Sequence, residues 1–580
     1  MEAKRIRNIR EYLLSSKLLT ILLLFIASCN YSEDKSINPK GQSILSLPYI
    51  KETNGVKQLI VDGAPYVMLG GELLNSSASS IEYMDSVWSR LKGLHVNTVF
   101  LPINWQQFEP VEGKFDYTLI DEYIKRAHEH DLHLVVLWFG SWKNGRSHYT
   151  PDWVKMDVNR FPRMHLKDQK TSNTISNLNN ECLIADKKAY VKLMERIKHV
   201  DKHHTVLMVQ IENEVGLKGA SRDFSPAAIT LFEKQVPKEL IEYINKNIDK
   251  LKPFIREAYQ NNGSKRKGSW AEVFGESLLS DEIFMAWNYA TYINQISAAG
   301  KVVHNIPTLV NAWAAKENQI PGDWPSGGPN YRMLDIWQAG APNIDIFATD
   351  NYGEKFDIKS KAFIHHEEKF DAKCKAFKHQ GNPLFIPEAC AIWLKDTISA
   401  PAKAFYTIGH YNAICFSPFG IDHDVYHSNH PIKNAYKALD NLLPLIVVAQ
   451  LENKVNAFME IEDSSPSSFI LGDFEFTPNY ALNKAPHIKG FGLIIQISEN
   501  EFIIAGNAFE LKYKSTDKNK PYAQLLSVEE GSFVDGKWQK GKVFNGDEFG
   551  IKFPAKPFGL IENVVLDEIR IHKVKLFNHD

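Results

Sequence analysis

The stretch VLMVQIENEVG, residues 206–216, decides the fold. It opens as an apolar run of strand-forming residues and ends abruptly on two carboxylates with an asparagine between them, Glu212-Asn213-Glu214. In a (β/α)8 barrel the catalytic residues project from the C-terminal ends of the strands, so an acidic residue that closes an apolar strand lies at the barrel mouth. The run therefore predicts one strand of such a barrel. Because side chains alternate along a strand, Glu212 and Glu214 are expected to point to the same side.

Seven more apolar, strand-like runs accompany this one. The candidate strands cover residues 66–72, 96–104, 132–140, 206–214, 306–313, 344–352, 383–389 and 413–420. Amphipathic stretches lie between them, and their apolar positions recur every three and four residues. Eight nearly continuous hydrophobic strands, each followed by a helix, indicate a parallel sheet that is buried on both faces. Their number predicts an α/β fold, a closed (β/α)8 TIM barrel.

The barrel is expected to occupy residues 45–460 and a second domain residues 461–580. The first segment begins with a short β region that has hairpin turns at Asn54-Gly55 and Asp62-Gly63. A charged helical insertion separates the fourth and fifth strands. From about Asp463 the chain reads as short alternating strands with turn signals, which predicts a C-terminal antiparallel β-sandwich.

The N-terminus has the pattern of an export signal. Basic residues precede the apolar run LLTILLLFIA, residues 18–27, which is too short to span a bilayer and suits the core of a signal peptide. Cys29 completes a segment that resembles a bacterial lipobox, in which the cysteine is lipidated; an ordinary signal peptide is the alternative. Residues 1–28 are thus expected to be a lipoprotein signal peptide and residues 29–44 a flexible tether. We expect an outer-membrane lipoprotein, surface-exposed or periplasmic, that meets the membrane through its lipid anchor only.

Composition and spacing exclude several kinds of chemistry. The formal net charge of -2 over 580 residues leaves no excess of Lys and Arg for a nucleic-acid partner. The cysteines after Cys29 have no C-x-x-C spacing, and all four are expected to be free buried thiols. The His-rich stretch at residues 422–430 lacks the spacing that places two ligands on one helix face, and the phosphate-loop skeleton at residues 531–537 is followed by Trp538 where Ser or Thr is required. No metal or cofactor is expected.

Acidic residues close two of the candidate strands. Glu214 ends the fourth strand and Glu388 ends the seventh. Two carboxylates that face each other across a barrel mouth suit glycoside hydrolysis, in which one protonates the leaving oxygen while the other attacks the anomeric carbon or activates water. A separation of about 5–5.5 Å gives retention of configuration and a wider gap gives inversion. The sequence alone does not fix this distance.

The motifs around these residues resemble those of a known family. QIENE on the fourth strand, with a Glu that closes the seventh, is similar to the retaining glycosidases of clan A. The runs GGELLNSSASS and NWQQFEPVEGKFDY resemble bacterial family 35 β-galactosidases that carry a C-terminal domain of unassigned function. The similarity covers residues 45–580. Two departures are visible: LWFGSW stands where larger members have an R-x-G-P-Y stretch, and the large jelly-roll appendages are missing.

The resemblance implies a role for each residue at the strand ends. Glu214 is then the general acid/base and Glu388 the nucleophile. Asn213 matches an asparagine that hydrogen-bonds the sugar 2-hydroxyl, and Tyr352 matches a tyrosine that holds the nucleophile carboxylate. This hydrogen bond is expected to keep Glu388 ionised, while a poorly solvated Glu214 should have a raised pKa and stay protonated near neutrality.

Other residues lie at or just past strand ends, where they line the sugar cleft or else pack in the rim or core: Glu72, Asn104, Trp105, Trp138, Trp313 and Trp393. The expected function is a retaining exo-glycosidase, a β-galactosidase that acts on oligosaccharides or polysaccharide side chains. The alternatives are a β-glucosidase, an α-L-arabinofuranosidase, or a non-catalytic glycan-binding lipoprotein. The C-terminal domain could close one wall of the cleft or form the contact of a homodimer.

Overall fold

Eight parallel strands follow one another along the chain. In the computed structural model they are β1 (Met68–Glu72), β2 (Thr98–Asn104), β3 (His133–Lys143), β4 (Val206–Asn213), β5 (Thr308–Val310), β6 (Ile346–Phe347), β7 (Phe385–Ala389) and β8 (Cys415–Pro418). They pair in the order β6-β5-β4-β3-β2-β1-β8-β7, and each of these pairings is parallel. The predicted strands are all present, although β5 and β6 are shorter than the apolar runs that predicted them.

The structure describes residues 46–313, 319–352, 354–357, 362–365, 367–390, 399–461, 466–480, 489–534, 536–553 and 569–580. The part from Leu47 to Asp580 forms one compact unit. The predicted signal peptide, the tether, Cys29 and Trp393 lie outside the described residues.

Hydrogen bonds between β6 and β7 close the barrel. The backbone N–H groups of Thr349 and Asn351 donate to the carbonyl oxygens of Phe385 and Glu388 at 3.2 and 2.9 Å. The Asn382 side chain also bridges this seam, because it accepts from the Phe347 N–H at 3.0 Å and donates to the carbonyl of the same residue at 2.8 Å. The predicted closed TIM barrel is therefore confirmed.

A helix follows each strand on the outside of the barrel. These helices are α1 (Trp88–Gly93), α2 (Thr118–Glu129), α3 (Asn180–Val200), α4 (Leu278–Val303), α5 (Leu334–Gly340), α6 (Glu367–Phe377), α7 (Ala400–Tyr411) and α8 (Pro431–Leu451). The loops contain three short helices, Ile81–Asp85, Trp105–Phe108 and Asp152–Met156. They also contain two hairpins, one formed by Arg163–His165 with Thr171–Ile175 and one by Glu354–Asp357 with Ala362–His365. The expected insertion between β4 and β5 folds as helices Pro226–Phe232, Lys238–Asn247, Pro253–Asn261 and Trp270–Phe274 ahead of α4.

The alternation of side chains along β3 divides the apolar core in two. The set that packs inside the barrel is Val135, Leu137 and Phe139. The set that packs between the strands and the helices is Leu134, Val136 and Trp138. The N-terminal sheet, made of Tyr49–Thr53, Val56–Val61 and Ala64–Tyr66, sends Leu59 and Val61 into the interior set. This sheet therefore covers the N-terminal end of the barrel, and the mouth is at the opposite end.

After α8 the chain forms two antiparallel sheets. The six-stranded sheet has the order Val455–Met459, Phe491–Gln496, Glu501–Asn507, Arg570–His579, Tyr522–Val534 and Lys537–Val543, and the four-stranded sheet has the order Phe469–Leu471, Phe474–Asn479, Phe509–Ser515 and Lys552–Phe553. Phenylalanine side chains from both sheets share one buried cluster. This arrangement confirms the predicted antiparallel β-sandwich at the C-terminal end.

The six-stranded sheet packs against the outer face of α7. Phe405 of α7 contacts Phe491, with ring centroids 5.2 Å apart. Gly409 permits the close approach, since a Cβ added there would lie 2.6 Å from the Ala457 Cβ and 2.7 Å from the Leu493 Cδ1. The β-sandwich is therefore fixed to the helical layer of the barrel.

As predicted, the cysteines of the described chain are buried and form no disulfide bond among the described residues: Cys182, Cys374, Cys390 and Cys415. Within the described residues, none of the helices combines the length and the apolar character that crossing a bilayer requires.

Candidate active site

Three carboxylates meet where β4, β6 and β7 open into the mouth. Glu214 follows β4, Asp350 follows β6, and Glu388 lies within β7. One oxygen from each lies within 4.8 Å of one oxygen from each of the others. All three side chains are buried, with 6%, 1% and 5% of their surface exposed. The two acids singled out in the sequence are thus brought together, at a separation close to the one that lets a carboxylate bond directly to a sugar carbon.

The end of β4 is not a regular strand, and this separates Glu212 from Glu214. Both residues have positive φ angles, 61° and 45°, a conformation that costs a non-glycine residue of the order of 1 kcal/mol or more. The Glu212 carboxylate accepts hydrogen bonds from the backbone N–H groups of Ser141 and Trp142 at 2.9 and 2.7 Å. It is therefore fixed to the end of β3, while Glu214 faces the other carboxylates. The expectation that both glutamates point the same way is wrong, because strand alternation does not continue through left-handed residues.

Glu388 is held by two hydrogen-bond donors. The Tyr352 hydroxyl donates to Oε2 at 2.5 Å, and the Asn311 Nδ2 donates to Oε1 at 3.2 Å. These two donors fix the orientation of the Glu388 carboxylate. A nucleophilic carboxylate must be oriented in this way to reach its target carbon.

Glu214 has the opposite environment. Burial raises the pKa of its carboxyl group to about 8, the nearby Glu388 charge adds to the rise, and Lys143 and Lys218 oppose it. The backbone N–H of Glu214 donates to the Asn311 Oδ1 at 3.0 Å, which fixes the main chain at this point. At neutral pH this carboxyl group holds a proton, which is the state that a general acid requires.

Two polar residues of this site were missed in the sequence. Asn311 follows β5, and its amide reaches Asp350 at 2.8 Å as well as Glu388 and Asn213 at 3.2 Å each. Burial raises the pKa of Asp350 well above its ordinary value, and the charges of Glu388 and Glu214 raise it further. The signal was present in both cases, because each residue directly follows an apolar strand and the rule that selected Glu214 and Glu388 applies to them equally.

Asn213 and Glu72 also lie in this cluster. Asn213 is fully buried, and its Oδ1 accepts from Gln210 at 3.0 Å and from Asn311 at 3.2 Å. Glu72 ends β1 and is completely buried, and neither of its carboxylate oxygens has a hydrogen-bond donor among the described residues. Burial raises the pKa of Glu72 well above its usual value, and the Glu388 charge raises it further, while Lys143 lowers it.

Three of the residues that were expected to line the cleft, or else to pack in the rim or core, make hydrogen bonds within the barrel. Asn104 caps the helix Trp105–Phe108, since its Oδ1 accepts the Gln107 N–H at 2.9 Å. Trp105 and Trp138 are fully buried, and their indole N–H groups donate to Glu109 at 2.7 Å and Asp186 at 2.9 Å. Trp105 and Trp138 therefore take the packing role that was the alternative for them, whereas a cleft role for the partly exposed Asn104 stays a prediction.

Trp313 lies just beyond β5 and is partly exposed. The Lys218 Nζ lies 4.2 Å from the centre of its ring, and the same lysine acts on the charge of Glu214. A partly exposed indole at this position can offer a flat apolar face to a sugar ring. Trp313 is thus the described tryptophan that fits the predicted cleft role.

The carboxylate cluster must also be considered as a cation site. Three carboxylate oxygens at this spacing have the donor chemistry that a hard cation such as Mg²⁺ or Ca²⁺ uses. However, the positive charges of Lys143 and Lys218 already act on Glu214. We therefore assign no metal ligand among the three carboxyl groups.

Two family models match the chain. One, described as Beta-galactosidase, is that of glycoside hydrolase family 42 and covers residues 79–386. It includes Glu214 and Asp350 and stops two residues before Glu388. The other is described as a domain of unknown function, DUF5597, and covers residues 432–554, which begins within α8.

Solved structures with similar folds include three bacterial enzymes. A β-galactosidase from Marinomonas ef1 has 10% identity and a TM-score of 0.46, over 65% of this chain and 60% of that one. A β-galactosidase from Bacillus circulans sp. alkalophilus has 12% identity and a TM-score of 0.44, over 66% and 57%. The catalytic domain of a β-amylase from Paenibacillus polymyxa has 12% identity and a TM-score of 0.42, over 61% and 92%. The chain thus spans about 60% of the length of the two β-galactosidases. No protein with curated annotation matches the sequence.

The more specific resemblance to family 35 is not supported by these matches. A main carrier of it was the segment from Trp105 to Gly113, which forms a clasp: Glu109 accepts from the Trp105 indole and from the Gly113 N–H, both at 2.7 Å. Such a clasp stabilises a barrel loop and does not by itself select a family. Because the family 42 model matches more than half of the 580 residues, the chain belongs to the glycoside hydrolase family 42 of β-galactosidases.

Proposed function

We propose that this protein is a retaining exo-β-galactosidase that removes terminal β-galactosyl residues by double displacement. The observation that carries the proposal is the approach of a Glu214 oxygen and a Glu388 oxygen to within 4.8 Å across the mouth. This distance suits the retaining mechanism, for which about 5–5.5 Å is typical, and is shorter than the gap that lets an inverting enzyme hold a water molecule beside the sugar. The family match supports the galactosyl specificity.

In the first step a Glu388 oxygen attacks the anomeric carbon while the bond from that carbon to the leaving oxygen breaks. Glu214 gives its proton to the leaving oxygen, so the products are a glycosyl ester on Glu388, a free alcohol and an ionised Glu214. In the second step the Glu214 carboxylate takes a proton from water, whose oxygen attacks the same carbon and breaks the ester. The sugar leaves with its original configuration, and both carboxyl groups return to their first states.

The neighbouring groups divide this work. The donors Tyr352 and Asn311 hold the Glu388 carboxylate ready for attack. Asn213 lies beside Glu214, and among the described residues the contact recorded for its Nδ2 is a long one of 3.4 Å to the Asn144 Oδ1, so this N–H is suited to bond the sugar 2-hydroxyl. Trp313 supplies a flat apolar face for the rest of the ring, and Glu72 supplies two carboxyl oxygens that have no hydrogen-bond partner among the described residues.

Substitution of each acid tests the proposal. Glu214→Gln should reduce hydrolysis of oligosaccharides far more than hydrolysis of nitrophenyl glycosides, because a good leaving group needs little protonation. Glu388→Gln should abolish both reactions. Azide added to Glu388→Gly should yield a glycosyl azide of inverted configuration, since azide replaces the missing nucleophile. Hydrolysis that survives either glutamine substitution essentially intact would show that the assignments are wrong.

The sugar itself requires a separate experiment. A panel of nitrophenyl glycosides distinguishes β-galactosidase from β-glucosidase and α-L-arabinofuranosidase activity, and defined oligosaccharides then give the linkage and the parent polysaccharide. A protein that binds these glycans without cleaving any of them would be the glycan-binding alternative.

Export and membrane anchoring are part of the same proposal. The basic N-terminus, the apolar run at residues 18–27 and Cys29 support a lipid-anchored protein of the outer membrane. Cys29→Ser should remove acyl labelling and release the protein from the membrane fraction. Light scattering on the purified protein distinguishes a monomer from a homodimer built through the C-terminal domain.

A further inference from the structure

We propose, building on the proposed glycosidase function, that Asp350 is a positioning residue that stays protonated through the reaction and donates its O–H to Glu214. Glu214 remains the group that exchanges a proton with the substrate. The role of Asp350 is to stabilise the carboxylate that Glu214 becomes after it has given its proton away.

The hydrogen-bond pattern around Asp350 carries this inference. Its side chain is 1% exposed, and Oδ2 accepts from the Asn311 Nδ2 at 2.8 Å. The other oxygen, Oδ1, is buried and has no donor among the described residues. A buried acceptor that is left without a donor costs about 1–3 kcal/mol, and more for a charged group. A proton on Oδ1 removes this cost, because the oxygen then becomes a donor.

Glu214 is the acceptor for that donor. The carboxyl groups of Asp350 and Glu214 face each other within 4.8 Å and are in hydrogen-bond contact when one of them carries a proton. Two ionised carboxylates in this position would repel each other, and neither could donate. A hydrogen bond between Asp350 and Glu214 therefore requires that one of the two carboxyl groups is protonated.

Charged groups surround this pair. Carboxylates face the pair from two other strands, Glu72 from β1 and Glu388 from β7, and Tyr352 follows β6 beside them. The cations Lys143 and Lys218 act on Glu214. Burial and these carboxylate charges raise the pKa of Asp350 well above its usual range. The hydrogen bond from Asp350 lowers the pKa of Glu214, which burial and the Glu388 charge raise, and the resulting value is about 8. Because the Asp350 Oδ1 is buried without another donor and lies in the same cluster as Glu214, we assign the retained proton to Asp350 and the ionising role to Glu214.

The proton count over one cycle is balanced. The pair begins with two protons, one on each carboxyl group. When Glu214 passes its proton to the leaving oxygen, the pair keeps the proton on Asp350, whose O–H now donates to an ionised Glu214. When Glu214 takes a proton from the attacking water, the pair holds two again.

An asparagine at position 350 has the same pattern as the protonated acid. Its Oδ1 can accept from Asn311 and its Nδ2 can donate to Glu214. Asp350→Asn should therefore keep kcat/KM within about fivefold of the wild type, since a neutral donor is retained. Asp350→Leu has a similar size but no donor, and kcat/KM should fall about ten- to a hundredfold, the range expected when a hydrogen bond to a charged group is lost.

The pH profile separates this role from a merely structural one. Loss of the donor in Asp350→Leu destabilises ionised Glu214, so the alkaline limb of kcat/KM should move to higher pH, whereas in Asp350→Asn it should stay near the wild-type position. A large loss in Asp350→Asn, or an alkaline limb that moves to lower pH in either variant, would mean that Asp350 acts as an anion and would overturn the proposal. An unmoved limb in Asp350→Leu would overturn it as well.

Infrared difference spectroscopy tests the protonation without any substrate. The wild type at neutral pH should have a protonated-carboxyl band that is missing from Asp350→Asn, and equal spectra would refute the inference even if hydrolysis is observed. If no glycoside is cleaved, the proposed function fails while this spectral test still stands. EDTA should leave both results unchanged, and a rate that depends on added Mg²⁺ or Ca²⁺ would assign the cluster to a cation instead.

Discussion

Removal of one hydroxyl group, in Tyr352→Phe, tests the geometry of the mouth most directly. In the wild type this hydroxyl donates to the Glu388 Oε2 at 2.5 Å, and the Asn311 amide is the second donor to the same carboxylate at 3.2 Å. A hydrogen bond to a charged group contributes about 1.5–3 kcal/mol. Because about 1.4 kcal/mol corresponds to a factor of ten in rate, kcat/KM should fall about tenfold to somewhat over a hundredfold.

The chain offers a matched control in Tyr406→Phe. The Tyr406 hydroxyl also donates to a carboxylate, Asp371 Oδ1, at 2.6 Å, but it does so between α7 and α6. Asp371 keeps the Tyr411 hydroxyl as a second donor at 2.6 Å, just as Glu388 keeps Asn311. Both variants therefore remove the same atoms and leave one donor behind, and only Tyr352→Phe should change the kinetics.

The assay is steady-state hydrolysis of a nitrophenyl β-galactoside, with thermal unfolding of each variant measured in parallel. The loss in Tyr352→Phe should appear mainly in kcat, because the hydrogen bond acts on the carboxylate and not on the bound sugar. If Tyr352→Phe stays within twofold of wild type, or if Tyr406→Phe loses as much activity, Tyr352 does not support the nucleophile. A large loss of folding stability in Tyr352→Phe alone would likewise refute the reasoning.

Three further predictions follow from the same contacts. First, kcat/KM should fall as pH rises through about 8, because the acid must be protonated and burial raises the pKa of Glu214 to about 8; a rate that is flat from pH 7 to pH 10 would contradict this. Second, Trp313→Ala should lower kcat/KM about two- to tenfold with a smaller effect in Trp313→Phe, as expected for loss of an aromatic contact of about 0.5–1.5 kcal/mol; initial rates at low substrate concentration provide the check. Third, Asn382→Ala should lower the free energy of unfolding by about 1–3 kcal/mol, since it leaves the Phe347 backbone N–H unpaired at the β6–β7 seam; urea unfolding measures it, and an unchanged midpoint would show that the bridge is not needed.

The architecture and the two acids could be predicted from sequence because both depend on coarse rules. Eight apolar runs separated by amphipathic stretches specify a parallel barrel, and an acid at the end of such a run specifies the mouth. The rule that a polar residue at the end of an apolar strand lies at the mouth applies equally to Asp350 and Asn311, which follow β6 and β5. Neither residue belongs to the motifs that carry the family resemblance, so their position at a strand end is the signal that could have predicted them.

The choice between cleft and core for Trp138 could not be made from the sequence for a different reason, which is register. Trp138 lies on the same face of β3 as Leu134 and Val136, which pack under the helices. Val135 and Leu137 lie on the other face, towards the barrel interior. A position near a strand end does not tell which face a side chain takes, since a shift of one residue exchanges the two faces. Buried apolar runs in parallel sheets are hydrophobic on both faces, so the sequence of β3 carries little information about its own register.

The mouth of the barrel also contains several buried carboxyl groups, which are costly to ionise inside a protein. Glu72, Glu214 and Asp350 all have pKa values raised by burial, so folding makes each of them harder to ionise. A carboxyl group whose pKa is higher in the folded than in the unfolded state contributes to folding stability fully at pH values below its ordinary pKa. This contribution is lost as the pH rises through the pKa of the folded state. Glu72 is the extreme case, because both of its oxygens are buried without a donor among the described residues. The hydroxyl groups of a bound sugar could donate to these oxygens, and such hydrogen bonds would contribute to substrate affinity.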